Sequence, residues 1–429
     1  MHSISINKTA STFEIEPLKH PYGFKGGQTT RLWQIFARFQ DTQGNKSIGL
    51  GVQNPLWSDA SVARHWGEEE SSQIMYKLTL KALDLVKGKT FDSPIHMIDS
   101  IFDEVHAFGI QLTQRKDLLK TFALNALVPV DNAAWLLYAQ QHNINSFDAL
   151  IPAEYKAGMS YKHSKVASIP SVSYTTSNSE LEALGRNGYF FLKIKIGAPG
   201  TQEEMLKKDM ERMTQVHRKL GKLKTNNSAS GKILYYPDAN GRYESKALFN
   251  RFLDHCKKIG AYDHIVVVEE PFVESLKDDV TDIDVKLAAD ESAHTYDDAL
   301  ERIEMGYAAL ALKPIAKTLS MTMKIAKLAH DRNIPCLCAD LTVNPLLVDW
   351  NKNVAARLEP LPGLKVGLLE TNGHQNYTNW DRLVSYHPRG KASWNKCTDG
   401  AFHLQDEFYD ESGGIFKPLN YYTSLFESS

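Results

Sequence analysis

Phe190-Phe191-Leu192-Lys193-Ile194-Lys195-Ile196-Gly197 is the stretch on which the fold reading turns. Apolar residues run up to a glycine, with two lysines two positions apart, which is a β-strand pattern. Side chains alternate along a strand, so Lys193 and Lys195 share one face and Leu192, Ile194 and Ile196 share the other. Buried parallel strands read as near-continuous apolar runs, and two cations on one face depart from that. Taken alone, the stretch fits an edge strand with a solvated lysine face. The residues downstream reverse that reading.

Strand-like runs also occur at 168–175, 233–236, 265–268, 285–289, 308–312, 334–338 and 365–369. Helical patterns separate them, most clearly at 181–187, 202–220, 246–259, 295–305 and 319–331. Eight strands alternating with helices predict a (β/α) barrel. The polar segment 224–230 is expected to be a surface loop before the third strand.

Upstream the pattern differs. Residues 12–18 alternate like a strand, and a Pro- and Gly-containing loop follows at 20–27. Segments 31–40 and 46–52 predict a hairpin closed by 41–45, with Gly44-Asn45 as turn residues. From about 60 to 141 apolar residues recur at spacings of three and four, as in helices. A sheet followed by a helical run predicts an α+β domain over 1–155. The barrel is then expected over 156–395, and the polar, aromatic segment 396–429 is expected to pack back on the first domain.

A chain of 429 residues suits two such domains. Hydrophobic residues make up 42% and charged residues 23%, the values of a globular protein that is not membrane-embedded. A net charge of −2 gives no electrostatic reason to expect nucleic acid or an anionic membrane as partner. Cys336 and Cys338 form a CxC in an apolar run, not a zinc-type CxxC, and are expected to pack in the seventh strand. Four cysteines in all fit a reducing compartment. Met1–Ile6 has neither a basic nor a long apolar region, and no window reaches the length of a membrane span. A cytoplasmic location is expected.

Charged residues end five consecutive strands. The second ends in Lys193 and Lys195, the third in Pro237-Asp238-Ala239-Asn240, and the fourth in Val268-Glu269-Glu270-Pro271. The fifth ends in Ala289-Asp290-Glu291-Ser292 and the sixth in Leu312-Lys313-Pro314. Barrel active sites lie at the C-terminal ends of strands, so these groups read as catalytic or binding residues. Three carboxylates in one bowl repel unless a cation neutralises them. Mg²⁺, a hard cation with oxygen ligands, answers that need beside an anionic substrate.

With these motifs in order, the chain resembles the enolase superfamily, in its mandelate racemase/muconate lactonizing enzyme family and the muconate-lactonizing/dipeptide-epimerase branch. The resemblance implies a (β/α)7β-type TIM barrel with an N-terminal α+β capping domain whose early Pro/Gly-rich loop closes over substrate. It implies that Asp238, Glu269 and Asp290 hold Mg²⁺. It also implies that Lys195 and Lys313 flank the substrate α-carbon as acid and base, and that Lys193 stabilises the carboxylate or enolate. The implied reaction is proton abstraction α to a carboxylate, foremost racemisation or epimerisation of an amino-acid-like carboxylate. Dehydration of a hydroxy or sugar acid is the alternative, and a silent ligand-binding barrel the alternative from another class. The expected partners are a small-molecule carboxylate and further copies of the chain.

The remaining candidates are less sharply specified. Alternation turns Glu270 and Glu291 away from their neighbouring ligands, which points to pairing rather than ligation. Asn240 reads as a supporting or a turn residue. Lys25 in the capping loop reads equally as a substrate contact or a flexible surface lysine, and Asp340 after the seventh strand and Glu370 after the eighth are placed where substrate would reach. His294 fits a surface loop. Dipeptide epimerases of this branch carry an Asp-x-Asp pair after the eighth strand. Here the stretch is Leu369-Glu370-Thr371-Asn372, with a single carboxylate, which counts against a dipeptide. The seventh strand ends in Cys338-Ala339-Asp340 rather than in a histidine, so the mandelate-racemase pattern is unmatched as well.

Overall fold

The computed structural model describes residues 3–427, so Met1 and His2 of the N-terminal reading and Ser428 and Ser429 of the C-terminal segment lie outside the described residues. Eight parallel strands form a closed ring. The first is interrupted at Pro170, which has no N–H to give the ladder. Its two pieces, Lys165–Ile169 and Ser171–Val172, pair with Gly367–Glu370 on one side and Phe191–Lys195 on the other, which closes the barrel. Between them run Leu234–Asp238, Val268–Glu269, Leu287–Ala289, Ala309–Leu312 and Cys336–Cys338. Each predicted strand is present, its ends within three residues of those expected. Both cysteines of the CxC are buried in the seventh strand, where burial pushes the Cys336 thiol up to about 12.

The outer helices follow from capping and periodicity. Gln202–Leu220 begins with a capping box, Thr201 and Glu204 each bonding the other's backbone N–H, and buries Met205, Leu206, Met213, Val216 and Leu220. Pro345–Ala355 lies outside the clear helical patterns of the sequence; it is buried on every side, its polar residues Asp349, Asn351, Lys352 and Asn353 as fully as its apolar ones. Among the described residues, the connection from the fourth to the fifth strand contains no helix.

The N-terminal part is a three-stranded antiparallel sheet, Lys8–Phe24, Gly27–Gln40 and Lys46–Gln53, covered by Ala60–Val86, Pro94–Thr113 and Lys120–Gln141. The segment 20–27 corrects the sequence reading. It is not a loop but the end of a long β-ribbon, turned by Lys25 and Gly26 at φ 49° and 72°. Positive φ at both central residues gives the twist a two-residue hairpin needs. Pro21 and Gly23, with a register irregularity between Pro17 and Tyr22, hide the strand from the sequence pattern.

The sheet and its central helix touch closely. An ideal Cβ on Gly49 would lie 2.1 Å from the Pro129 carbonyl oxygen, so only glycine fits there. The same helix grips the barrel. Ser320, at the start of Leu319–Asp331, donates through its N–H (3.1 Å) and its hydroxyl (2.5 Å) to Asp131, and accepts from Trp135 Nε1 at 3.0 Å. The C-terminal segment touches both parts. Ala401–His403 runs antiparallel to the first barrel strand, and the Tyr421 hydroxyl donates to Glu14 at 2.5 Å. No described helix is long and apolar enough to cross a membrane.

Asp131 makes the docking of the two parts pH-dependent. Burial raises its carboxyl to about 7, against bonds from Ser320 that lower it. Between the unfolded value near 4 and this folded value, the folded chain keeps a proton that the unfolded chain releases. Stability from this residue is therefore fully present at low pH and lost as pH rises toward 7. Asp131→Asn should remove about 2–4 kcal/mol of that slope, read as the difference between mutant and wild-type unfolding free energies at pH 5 and pH 8. A difference that does not change with pH contradicts the assignment.

Candidate active site

Strand register sets the charges side by side. Lys195 lies opposite Asp238, and Asp238 opposite Glu269, in successive parallel pairs. Lys193 and Lys195 do share a face, and that face is the barrel interior rather than solvent. Lys193 is 2% exposed, so the solvated-edge reading is excluded by burial.

The Lys193 ammonium sits among three carboxylates, 3.0 Å from Asp238 Oδ2, 2.8 Å from Glu269 Oε2 and 3.0 Å from Glu370 Oε2. Lys195 Nζ lies 2.5 Å from Asp238 Oδ2 and donates to Asn240 Oδ1 at 2.9 Å. Across the bowl, Lys313 Nζ donates to Asp290 Oδ2 at 2.6 Å. Burial pushes the Asp238 carboxyl up, but Lys193 and Lys195 more than reverse this and bring it to about 2. Asp290 is likewise held far below the usual range by Lys313 and Lys317 against its burial. Glu269 goes the other way: burial and the adjacent Asp238 raise it well above an ordinary carboxylate. Burial opposes the charge on Lys193, Lys195 and Lys313, yet their carboxylate partners hold all three above the ordinary lysine value.

The donor set fits a hard cation. Glu269, Asp290 and Glu291 bring oxygens within 4.8 Å of one another. Glu269 Oε1, Asp290 Oδ1 and Glu291 Oε2 are buried without a hydrogen-bond partner. Orphaned anionic oxygens in a buried site are costly, and a divalent ion relieves them. Of the expected ligands, Glu269 and Asp290 meet in this cluster, whereas Asp238 is engaged by the two lysines. Glu291 is drawn to the cluster by Asn240 Nδ2 at 2.9 Å and Lys25 Nζ at 3.4 Å.

A supporting layer fixes these groups. Glu270 turns away from Glu269, with φ of 40°, and accepts from the N–H groups of Asp290 (2.7 Å) and Ser292 (3.2 Å). It holds the fifth-strand turn. Lys317, absent from the sequence-level candidates, is 2% exposed and donates to the carbonyls of Asp290 and Ala293. A second lysine four positions after Lys313, at the end of the short helix Pro314–Lys317, is the signal that could have found it. Asp209 accepts from the Gly197 and Ala198 N–H groups and from Tyr243, which pins the turn after Lys195.

The outer candidates take distinct places. Asp340 accepts from the N–H groups of Leu341 (2.7 Å) and Asn372 (2.8 Å), joining the loops after strands seven and eight; burial and Glu370 raise it to about 7. Glu370 reaches Lys193 in the interior, as above. His294 is not a surface residue: it is 4% exposed, and its Nε2 lies 2.7 Å from Glu274. Lys25, at the ribbon tip, reaches Glu291 and donates to the Trp57 carbonyl at 2.9 Å. The Trp57 ring lies 4.3 Å from Lys313 Nζ, a contact between cap and barrel that no sequence pattern announces. Beneath the ribbon a cavity of about 280 Å³ reaches Lys195 and Asn240.

The sequence profile of the enolase C-terminal domain-like family matches residues 178–361. No curated protein sequence matches the chain. Solved structures of similar fold include a mandelate racemase/muconate lactonizing protein from Herpetosiphon aurantiacus, at 14% identity and TM-score 0.64 over 94% of this chain and 96% of that one. The N-succinyl Arg/Lys racemase from Bacillus cereus aligns at 16% identity and TM-score 0.62, over 87% and 89%. The dipeptide epimerase from Enterococcus faecalis, solved with Mg and the dipeptide L-Leu-L-Tyr, aligns at 15% identity and TM-score 0.61, over 88% and 92%.

The orphaned oxygens lead to a measurable result. At a Mg²⁺ concentration about a hundred times its Kd, the wild type should gain about 2.7 kcal/mol of stability. Glu269→Gln keeps the shape and removes the buried charge. It should lose most of that gain, while melting no lower than the wild type in EDTA. A full Mg²⁺ shift in the variant contradicts the assignment.

Proposed function

We propose that the chain, whose residues 178–361 match the enolase C-terminal domain-like family, is an isomerase or lyase that removes the proton α to a carboxylate of a small-molecule substrate. The observation that carries this reading is the placement of Lys195 and Lys313. They end the second and sixth strands of an eight-strand ring, four places apart, and so face each other across the bowl with the carboxylates on the arc between. A base on one face of a carbon and an acid on the other permit removal of a proton and its return with inversion.

Asp238, Glu269 and Asp290 would hold Mg²⁺, with Glu291 beside them. The ion would supply the positive charge against which a carboxylate becomes acidic at its α-carbon. Lys193, fixed by Glu370 and Asp238, places an ammonium where negative charge grows on the substrate oxygens. Lys195 removes or returns the proton on one face and Lys313 on the other. The Trp57 ring over Lys313 and the ribbon over Lys195 exclude water from both faces, which strengthens the electrostatics within. Racemisation or epimerisation of an amino-acid-like carboxylate is the reaction this symmetry serves best.

The test is α-proton exchange in D₂O, followed by NMR over a library of carboxylates with Mg²⁺. Solvent deuterium should enter the α-position of a substrate, and Lys195→Ala or Lys313→Ala should each slow interconversion by at least about a hundredfold. A keto-acid product would replace epimerisation by dehydration. Exchange that survives both substitutions would overturn the assignment of the lysines.

A further inference from the structure

The three-stranded capping sheet has one open edge. Lys46–Gln53, on one side, is buried at every residue after Lys46. Lys8–Phe24, on the other, is buried only at Glu16 and Leu18. Among the described residues, the backbone of 8–16 pairs only with Gly27–Gln40, whereas Pro17 and Leu18 are met by Thr378 and Tyr377. The run 8–16 thus keeps a row of unpaired N–H and C=O groups, the template on which another strand forms. Proteins blunt such an edge with lysines, prolines or bulges. Here the run has a single lysine, at its start, no proline, and an unbroken register.

Apolar side chains border this edge. Phe13 and Ile15 are 38% exposed, and Leu80, on the helix Ala60–Val86, is 43% exposed. Tyr76, one helical turn before Leu80, meets the Phe13 ring edge-on at 5.0 Å, which joins strand and helix into one patch. Phe13 also stacks on Trp33 at 4.3 Å, so its exposed face is fixed before any partner arrives.

We propose that a second copy of the chain pairs with this edge, residues 8–16 against residues 8–16, antiparallel about a two-fold axis at Thr12. The run is complementary to its own image. Opposed side chains of an antiparallel pair share a face, so an axis at the midpoint sets Phe13 opposite Ser11 of the second copy and Ile15 opposite its Thr9. The two Phe13 rings become diagonal neighbours, within reach of each other. Lys8 then lies opposite Glu16 and diagonal to Glu14. Lys8 has no acidic partner within ion-pair distance among the described residues. Glu14 accepts from the Tyr421 hydroxyl, and Glu16 from Asn379 and Arg382. An in-register parallel partner would stack Lys8 on Lys8, and an axis at Glu14 would set two carboxylates face to face. Two-fold pairing also consumes both edges, whereas an unrelated strand would leave a new one exposed. The far end of the same strand, Tyr22–Phe24, roofs the cavity over Lys195, so the pairing would tie the ribbons of two active sites into one continuous sheet.

Sedimentation equilibrium of the full chain at micromolar concentration should show two-fold association. Ile15→Lys should weaken it at least about tenfold while leaving the circular dichroism spectrum unchanged. A second measurement does not depend on a charged variant. Thr12→Cys places two identical thiols across the axis, at about the 4.5–5.5 Å Cα spacing that a disulfide spans. Mild oxidation should link its chains. It should leave unlinked the wild type, with its own four cysteines, and Ala10→Cys, whose opposite residue is Glu14. A monomeric wild type, an association that Ile15→Lys leaves intact, or a failure of Thr12→Cys to link faster than Ala10→Cys would each overturn the proposal.

Discussion

Everything in this protein is arranged around carboxylates buried where carboxylates are hardest to keep. Asp238, Glu269 and Asp290 are at most 1% exposed, and each ends a different strand of the same barrel. Their mutual repulsion and lost hydration must be met by positive charge, and breaking a buried pair costs far more than forming one returns. Three lysines supply that charge in the structure described, and a fourth, Lys317, braces the turn that carries Asp290. A bowl so charged is poor for stability and well suited to a cation and an anionic substrate. Stability is yielded locally for chemistry, as at other preorganised sites.

The capping part makes that bowl a closed site. Its ribbon crosses the barrel mouth, and Lys25 at the tip reaches Glu291. Trp57, from the short helix Pro55–Ser58 after the third capping strand, places its ring on Lys313. The cap is held firmly at its base, where Asp131 and Trp135 meet Ser320, while the tip touches the site with a few polar groups. A firm base with a lightly held tip is the arrangement a lid requires.

Local pattern makes much of this legible in the amino-acid sequence. Strand identity is written in short apolar runs, and because a barrel exposes only the strand ends, the charged residues there announce the site: Lys193, Lys195, Asp238, Glu269, Asp290 and Lys313. What stays hidden depends on contacts between distant segments. The ribbon 20–27 carries the glycines and proline of a loop, and only pairing with Thr29 and Gln28 shows it to be a strand. The helix at 345–355 buries its polar residues Asp349, Lys352 and Asn353 against distant segments, so they do not mark a solvent face. Trp57 over Lys313, Glu370 on Lys193 and Asp209 behind Lys195 join residues more than ten positions apart, which no spacing rule can connect. Glu291 shows the limit of alternation. The left-handed backbone at Glu270 and the turn at 290–293 end the strand geometry, so a residue expected to face away lies with the acids.

The central claim is that this acid cluster is a cation site, with the lysines as its occupants' counterweights rather than its permanent partners. Diffraction from crystals grown with Mn²⁺ in place of Mg²⁺, recorded at the manganese absorption edge, tests it directly. The account predicts an anomalous peak within coordination distance of Glu269 and Asp290, with the Lys193 ammonium drawn back from Glu269. No peak, with Lys193 still lodged between Asp238 and Glu269, would mean that the lysines alone neutralise the bowl, and would contradict the account.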